Sequence, residues 1–431
     1  MISIRQIALL RTSKQLTLRA NFSWTLLGNV LYAVSQWGTI MIYTKSFSPE
    51  TFGKYALGLS VSTPLFTFST LQLRNIMVSE RDEHTPPVYF FALRLITSLT
   101  AFIFLVSLCL LGVVPQNSMP ITLSIGLGQG IVTVKDLFQG IMQRKERMDL
   151  VSVSLILQGG LSIICIFFAI LAIESIFAAL LAMALAEFIV LVAYDIPIAT
   201  RLNLDQEVRG DIFHFGIKSN LKKILSLLRL STPLGFVTLL IALQTSIPRY
   251  LMAIMDGEAA SGYFTAVATF MALESLVVSA LGQSSARRLT IHHANALLRY
   301  RRLLLKLMLL GILIGLLSFL GFALAGKEAI RLMFSAEYVS YYDVLLWLMI
   351  ARIAQNVLSF MGYGMTAARY FKPSLWVYGF TTVTLALFSI ILIPMYSGIG
   401  AAWSILFSTL VGVLIGLFVL RRELIGKGDI S

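Results

Sequence analysis

The chain is dominated by long apolar stretches that recur along nearly all of its length. About twelve stretches have roughly the 20 predominantly apolar residues that a helix needs to cross a bilayer. They span approximately residues 21–44, 52–78, 88–112, 118–142, 151–172, 174–195, 231–254, 262–284, 303–325, 340–366, 373–394 and 399–420. The sequence therefore predicts an all-α integral membrane protein with about 12 transmembrane helices.

Composition supports this fold class and argues against several others. Hydrophobic residues make up 57% of the chain and charged residues 13%, whereas a soluble domain carries about a quarter charged residues. The formal charge of +13 comes from short clusters between apolar stretches, so no single patch suggests nucleic-acid binding. Cys109 and Cys165 lie inside apolar stretches without CxxC spacing, and HExxH is missing. We expect no metal or other cofactor.

Every second connection between the apolar stretches is basic. These connections are the N-terminus, Arg81, Arg144 to Arg147, Arg201 to Arg229, Arg287 to Arg302, Arg369 with Lys372, and Arg421 with Arg422. Because Lys and Arg are retained on the cytoplasmic side of a membrane, we expect a multi-pass protein with both termini cytoplasmic.

The longest break between apolar stretches divides the chain into two sets of six. We predict an N-terminal lobe over 1–195, a cytoplasmic amphipathic linker over 196–230, and a C-terminal lobe over 231–431. Linker residues such as Phe213 and Phe215 alternate with basic ones, which is typical of a helix on an anionic membrane surface. The alternative to such a helix is a frayed linker that binds no partner.

An internal repeat relates the two halves. An offset of 209 residues pairs Gly53 with Gly262 and places SPETFGKYALGLSV over GEAASGYFTAVATF. Parallel repeats of this kind fit two six-helix lobes related by a pseudo-twofold axis along the membrane normal, with a central cavity between the lobes.

Three segments resemble a known transporter family. They are GNVLYAVSQWGTIMIYTKSFSPETFGKYALGLSVSTPLF, LQLRN at 71–75, and TPLGFVTLLIALQTSIPRYLMAIMDGEAASGYF. The resemblance is to the O-antigen (Wzx-type) polysaccharide flippases of the multidrug/oligosaccharidyl-lipid/polysaccharide exporter superfamily. It implies alternating-access translocation of an undecaprenyl-diphosphate-linked oligosaccharide across the bacterial inner membrane. It also implies a proton or sodium gradient as the energy source, and other polysaccharide-assembly membrane proteins as partners.

Polar residues inside several helices fall on single faces at helical periodicity. These stripes are Thr25, Asn29, Tyr32, Gln36, Thr39 and Tyr43; Ser60, Thr63, Thr67, Thr70 and Arg74; Gln129, Asp136, Gln139 and Gln143; and Arg352, Asn356, Ser359 and Tyr363. Helix packing through small polar residues explains a Ser/Thr stripe equally well. Amide and charged side chains at membrane depth instead favour a water-filled cavity or a partner.

Ten residues are our candidates for function. The substrate-binding candidates are Arg352, Arg74, Arg249, Asn29, Gln36 and Asn356; the ion-coupling candidates are Asp136, Glu187, Glu274 and Lys135. Guanidinium groups bind diphosphate oxygens bidentately. Arg74 and Arg249 lie near helix ends, where snorkelling to the interface is the alternative. For Glu187 and Glu274 the alternative is a structural carboxyl. Lys135 and Asp136 point about 100° apart, so each should have its partner on another helix.

Two other functions compete with the flippase. A drug or cation exporter of the same superfamily would have a cavity richer in carboxylates than in arginines. A membrane glycan polymerase or ligase would carry a large outer loop, whereas every outer connection here is short. We therefore expect a transporter rather than an enzyme.

Reporter fusions test the predicted topology. Fusions after Arg201 and Arg288 should report a cytoplasmic location, and fusions after Asn117 and Asp256 a periplasmic one, because of the alternation of basic connections. A periplasmic signal from the 285–302 connection would contradict both the helix count and the two-lobe arrangement.

Overall fold

The protein is described by a computed structural model that covers residues 17–79, 86–204 and 217–425. Arg81 and the linker residues Phe213 and Phe215 lie outside these ranges. Within them the chain is almost entirely helical, as expected where backbone groups have no water to bond and must pair within their own segment.

Fourteen helical segments follow one another along the described chain, and the last of them is divided at Ser397. They are α1 (Leu18–Ser46), α2 (Pro49–Ser69), α3 (Leu73–Ser79), α4 (Pro87–Leu110), α5 (Met119–Arg144), α6 (Met148–Ile173), α7 (Ile176–Val190), α8 (Ile196–Leu204), α9 (Ile217–Met255), α10 (Glu258–Ala268), α11 (Phe270–Asn295), α12 (Leu297–Met333), α13 (Tyr342–Ala367) and α14 (Phe371–Ile425). A π-helical turn, Leu191–Asp195, joins α7 to α8.

Nine segments of the described chain are long and apolar enough to cross a membrane. One of them, Lys372–Arg421, contains Ser397 with φ 51° and ψ −130°, where one helix ends and another begins. That segment therefore holds two of the predicted stretches, 373–394 and 399–420. The polar helices α1 and α2 are not among the nine. A multi-pass membrane protein is confirmed, and the count of about twelve stays a prediction.

The predicted stretch 52–78 is not one helix. Leu71 and Gln72 have φ values of 45° and 53° and separate α2 from α3. The prediction that Arg74 continues the stripe of Ser60 is therefore wrong, because two residues in the left-handed region redirect the chain before it.

The described part of the predicted linker is helical. Helix α9 runs for 39 residues and passes through position 230 without a break. Ile224 and Leu227 are buried in a hydrophobic core with Met77, Tyr89 and Leu202. The predicted boundary at 230 thus falls inside a helix, because these apolar positions pack against protein.

The described residues form two compact units. The first comprises residues up to Ile42 and Leu65–Gly235; the second comprises Tyr43–Pro64 and the chain from Phe236 onward. The second unit has its own core, which includes Tyr300 and Phe360. Residues 43–64 pack with this second unit although the sequence places them in the N-terminal lobe. The division into two sets of six helices stays a prediction.

The glycines of the internal repeat explain where residues 43–64 pack. A Cβ atom at Gly53 would overlap the carbonyl oxygen of Glu258, and one at Gly262 would overlap the carbonyl oxygen of Pro49. Pro49 and Glu258 begin α2 and α10 and are 258 − 49 = 209 residues apart. The contact is therefore reciprocal between the two repeats and supports the 209-residue offset.

Substitution of Gly53 or Gly262 by Ala should destabilise the protein by about 1–3 kcal/mol, because the methyl group meets a backbone carbonyl that cannot rotate away. Gly321 is a matched control: it lies inside α12 with open space at its Cβ position. Gly321→Ala should stabilise its helix by up to about 1 kcal/mol. Thermal unfolding of the purified variants measures both effects. Equal melting temperatures for Gly53→Ala and Gly321→Ala would contradict the contact.

Candidate functional site

Helix α5 of the first unit contains two adjacent charged residues, Lys135 and Asp136, which contact different neighbours. Asp136 binds two arginines: its Oδ1 accepts from Arg74 Nη1 at 3.0 Å, and its Oδ2 lies 3.3 Å from Arg94 Nη2. Lys135, one residue earlier, lies 3.6 Å from Asp195. The prediction that Lys135 and Asp136 find partners on different helices is confirmed.

Arg74 is held by the polar stripe of α5. Its Nε donates to Gln143 at 2.9 Å, and its Nη1 also donates to Gln139 at 3.3 Å. The side chain is partly buried and does not simply extend to solvent. The polar stripe predicted on α5 therefore contacts Arg74. This arginine is already paired with Asp136.

Arg94 is a member of this cluster that the sequence analysis missed. Its side chain on α4 is fully buried, and its Nε and Nη1 atoms have no hydrogen-bond partner. The sequence does contain a signal for this residue, because Arg94 is an arginine inside the apolar stretch 88–112. A buried guanidinium usually requires a counter-charge, and Asp136 provides it.

Lys135 lies at the centre of a second buried group. Its Nζ donates to Gln158 Oε1 at 2.9 Å, and Gln158 Nε2 lies 3.3 Å from Glu187 Oε1. Asp195, also missed by the sequence analysis, closes the π-helical turn and is fully buried. Such turns occur frequently at functional sites.

Charge in this part of the first unit balances. Three cations, Arg74, Arg94 and Lys135, accompany three carboxylates, those of Asp136, Glu187 and Asp195. A hydrogen bond of 3.0 Å from Gln139 to Ser154 extends the polar cluster toward α6. The matched charges keep the unit's interior close to neutral, which makes ionised groups tolerable away from water.

The second unit holds Glu274 and Asn356 together. The Asn356 amide donates to Glu274 Oε1 and to the Gly311 carbonyl, the latter at 3.1 Å. The other Glu274 oxygen is buried without a partner. Gly311 and Gly315 lie where a Cβ atom would be about 3.2 Å or less from neighbouring side chains, so helix α12 can approach this pair closely.

Arg352 lies one turn before Asn356 on α13. Its Nη2 donates to Ser275 at 2.8 Å and its Nη1 to Gln355 at 3.1 Å, while its buried Nε has no partner. Among the residues that the structure describes, no carboxylate lies within 4.0 Å of this guanidinium. Arg352 is therefore a half-buried cation held by neutral groups.

The remaining candidates are distributed over α1 and α9. Arg249 is half-buried beside Tyr55, and its backbone carbonyl accepts from Ser261 at 2.9 Å. Asn29 is exposed and donates to the Thr25 carbonyl at 2.8 Å, and Gln36 is half-buried. The structure brings Arg74 to Asp136 and Arg352 near Glu274.

The fold is similar to the folds of solved membrane transporters. The lipid II flippase MurJ, in an inward closed conformation, matches with a TM-score of 0.73 at 12% identity, covering 93% of this chain and 87% of MurJ. An inward-facing multidrug resistance MATE transporter matches with a TM-score of 0.64 at 15% identity, covering 95% and 96% of the two chains.

Residues 18–286 match the family described as polysaccharide biosynthesis protein, and the chain belongs to this family. It is 24% identical over 403 residues to the capsular polysaccharide biosynthesis protein CapF of Staphylococcus aureus. The aligned region covers 93% of this chain and 99% of CapF. The predicted resemblance to the polysaccharide branch of the superfamily is confirmed.

Lys135→Met should lower the free energy of unfolding by about 3–5 kcal/mol, because it leaves buried Asp195 without its counter-charge. Adding Asp195→Asn to the same chain should restore most of this loss. Arg331→Met removes an exposed ion pair with Glu328 and should cost less than about 1 kcal/mol. Unfolding of the purified proteins in denaturant measures all three. A double variant no more stable than Lys135→Met alone would show that the pair is not coupled.

Proposed function

We propose that this protein translocates an undecaprenyl-diphosphate-linked oligosaccharide across the bacterial inner membrane. The observation that carries the proposal is Arg352, a half-buried guanidinium inside a membrane-spanning helix with no carboxylate partner in the described chain. A cation in this position is costly unless it serves an anionic ligand or faces water. Membership of the polysaccharide biosynthesis family supports a glycan-bearing ligand.

The chemistry of a lipid diphosphate matches this guanidinium. Ser275 and Gln355 hold two of its nitrogens with neutral oxygens, so its positive charge is not cancelled. Phosphate oxygens accept parallel hydrogen bonds from the fork of a guanidinium, and such charge-assisted bonds are about twice as strong as neutral ones. Arg352 would therefore bind the diphosphate and leave the sugar free to vary.

The other substrate-binding candidates have different roles in this proposal. Arg74 is already paired with Asp136, so it offers a ligand less net charge than Arg352 does. Arg249 follows Pro248 on α9, where the missing proline N–H frees a carbonyl and allows a bend. Asn29, Gln36 and Asn356 would supply neutral hydrogen bonds, which suit the hydroxyl groups of a sugar.

An ion gradient would drive translocation. We propose Glu274 as the coupling carboxylate nearest to the ligand: one oxygen is held by Asn356, the other has no partner, and its charge acts on Arg352. Occupation of Arg352 by an anion would change the affinity of Glu274 for a proton or sodium ion, and the reverse holds by linkage. In the first unit, Glu187, Asp136 and Lys135 are the corresponding candidates.

In this function the protein is an alternating-access transporter with no covalent chemistry, both termini in the cytoplasm, and other polysaccharide-assembly proteins as neighbours. A drug or cation exporter is less well supported by the charges. In the first unit, Asp136 and Asp195 are each matched by a basic residue, which leaves little negative charge for a cationic drug. Among the described residues of the second unit, Arg352 is held only by neutral groups and adds a positive charge that a cationic drug would not favour.

Substitutions at Arg352 test the function. Expressed in cells that lack their own copy of the gene, Arg352→Ala and Arg352→Gln should fail to restore surface polysaccharide, because both remove the charge. Arg352→Lys should restore it in part, since it keeps the charge and loses the bidentate fork. Arg331→Ala, which removes an exposed arginine, should restore it fully.

The amount of folded, monodisperse protein must be measured beside the polysaccharide. A purely structural Arg352 would lose activity and folded protein together, and Arg352→Gln, which can still bond to Ser275, would then recover both. Normal polysaccharide with Arg352→Ala at wild-type expression would remove Arg352 from the site and would contradict the proposal.

A further inference from the structure

A cavity of about 700 Å³ opens at the ends of three helices in the second unit. It is lined by Thr290, residues 293–297 and residues 367–369, which belong to the end of α11, the start of α12 and the end of α13. Arg352 lies about 22 Å away along α13, at 1.5 Å rise per residue. The cavity is therefore separate from the proposed diphosphate site.

Positive charge around this cavity has no acidic counterpart in the neighbouring sequence. Eight Lys and Arg residues lie between positions 287 and 306 and at 369 and 372, whereas positions 275–327 and 344–422 contain no Asp or Glu. An interspersed surface would pair many of these charges. A stretch of sequence with this charge creates a positive field that attracts anions.

Arg369 occupies an unusual backbone position at the rim. Its φ is 60°, and the bonds from its N–H to Thr366 and from the Tyr370 N–H to Met365 form the Schellman motif that ends α13. Glycine is the usual residue there, because a Cβ atom disfavours the left-handed region. Strained backbone positions cluster at functional sites, and Arg369 is the arginine among the described residues that line the cavity.

Aromatic contacts hold His293, another residue of the cavity lining, in place. His293 Nε2 is 3.1 Å from the Tyr370 hydroxyl. The rings of Tyr300 and Tyr370 meet the His293 ring edge-on at 5.2 and 5.5 Å. These contacts tie the end of α11 to the start of α14, so the cavity is preformed and needs little ordering to accept a ligand.

We propose that this cavity binds the phosphate of an anionic lipid headgroup, with Arg369 as its principal ligand. The loops that form it directly follow or precede apolar spans, which places them at the membrane surface where anionic headgroups are concentrated. Free phosphate has the same chemistry but lacks the acyl chains that keep a lipid at that surface. A lipid bound here would be distinct from the transported substrate.

Native mass spectrometry of the purified protein in neutral detergent tests the proposal, with phosphatidylglycerol, phosphatidylcholine and inorganic phosphate as probes. Arg369→Gly is the decisive variant, because glycine accepts the backbone conformation and removes only the cation. It should fold with an unchanged or higher melting temperature and bind phosphatidylglycerol about tenfold more weakly, the loss expected for one charged hydrogen bond. Arg369→Lys should retain part of the affinity.

Arg302→Ala is the matched control. It removes one exposed cation from the same end of the unit, outside the cavity lining, and should leave phosphatidylglycerol affinity at the wild-type level. An equal loss in Arg302→Ala and Arg369→Gly would show diffuse attraction to a basic surface and overturn the site. Equal binding of phosphatidylcholine, or phosphate binding that blocks the lipid at similar concentration, would overturn the lipid headgroup as its ligand.

Discussion

A charge held away from water must be matched by a group on another helix, and this requirement organises the first unit. Asp136 forms ion pairs with Arg74 on α3 and Arg94 on α4, while Lys135 pairs with Asp195 at the end of the π-helical turn. Removal of one partner leaves the other buried and costs more than the intact pair contributes. The adjacent charges on α5 therefore fix which helices can surround it and in what register.

The second unit meets the same requirement differently. Glu274 is held by the amide of Asn356, and Arg352 by Ser275 and Gln355, so its acid and its base are each bound by neutral groups. Polar neighbours of this kind lower the cost of burial without cancelling charge. The unit retains a cation that can exchange its weak partners for a stronger anionic one, which suits a group that must bind and release a ligand.

Much of the fold could be predicted, because its signals are local and periodic. The apolar stretches, the 209-residue repeat and the separate partners of Lys135 and Asp136 all follow from spacing. The break before Arg74 was missed, since Leu71 and Gln72 carry no turn signature and tertiary packing imposes their backbone. Arg94 and Asp195 were missed because each is a single charge whose partner is distant in sequence. Helix α9 extends through the predicted linker because its apolar residues pack in a hydrophobic core of the protein.

The reciprocal contact of Gly53 and Gly262 also constrains how the two halves can diverge. Each glycine touches the backbone at the start of the helix that contains the other, so the space that either repeat requires is provided by its counterpart. A side chain added to one half cannot be accommodated by change in that half alone. If the two repeats arose by duplication of one segment, both copies must keep a glycine at this contact. Their polar stripes are free of this constraint and can diverge.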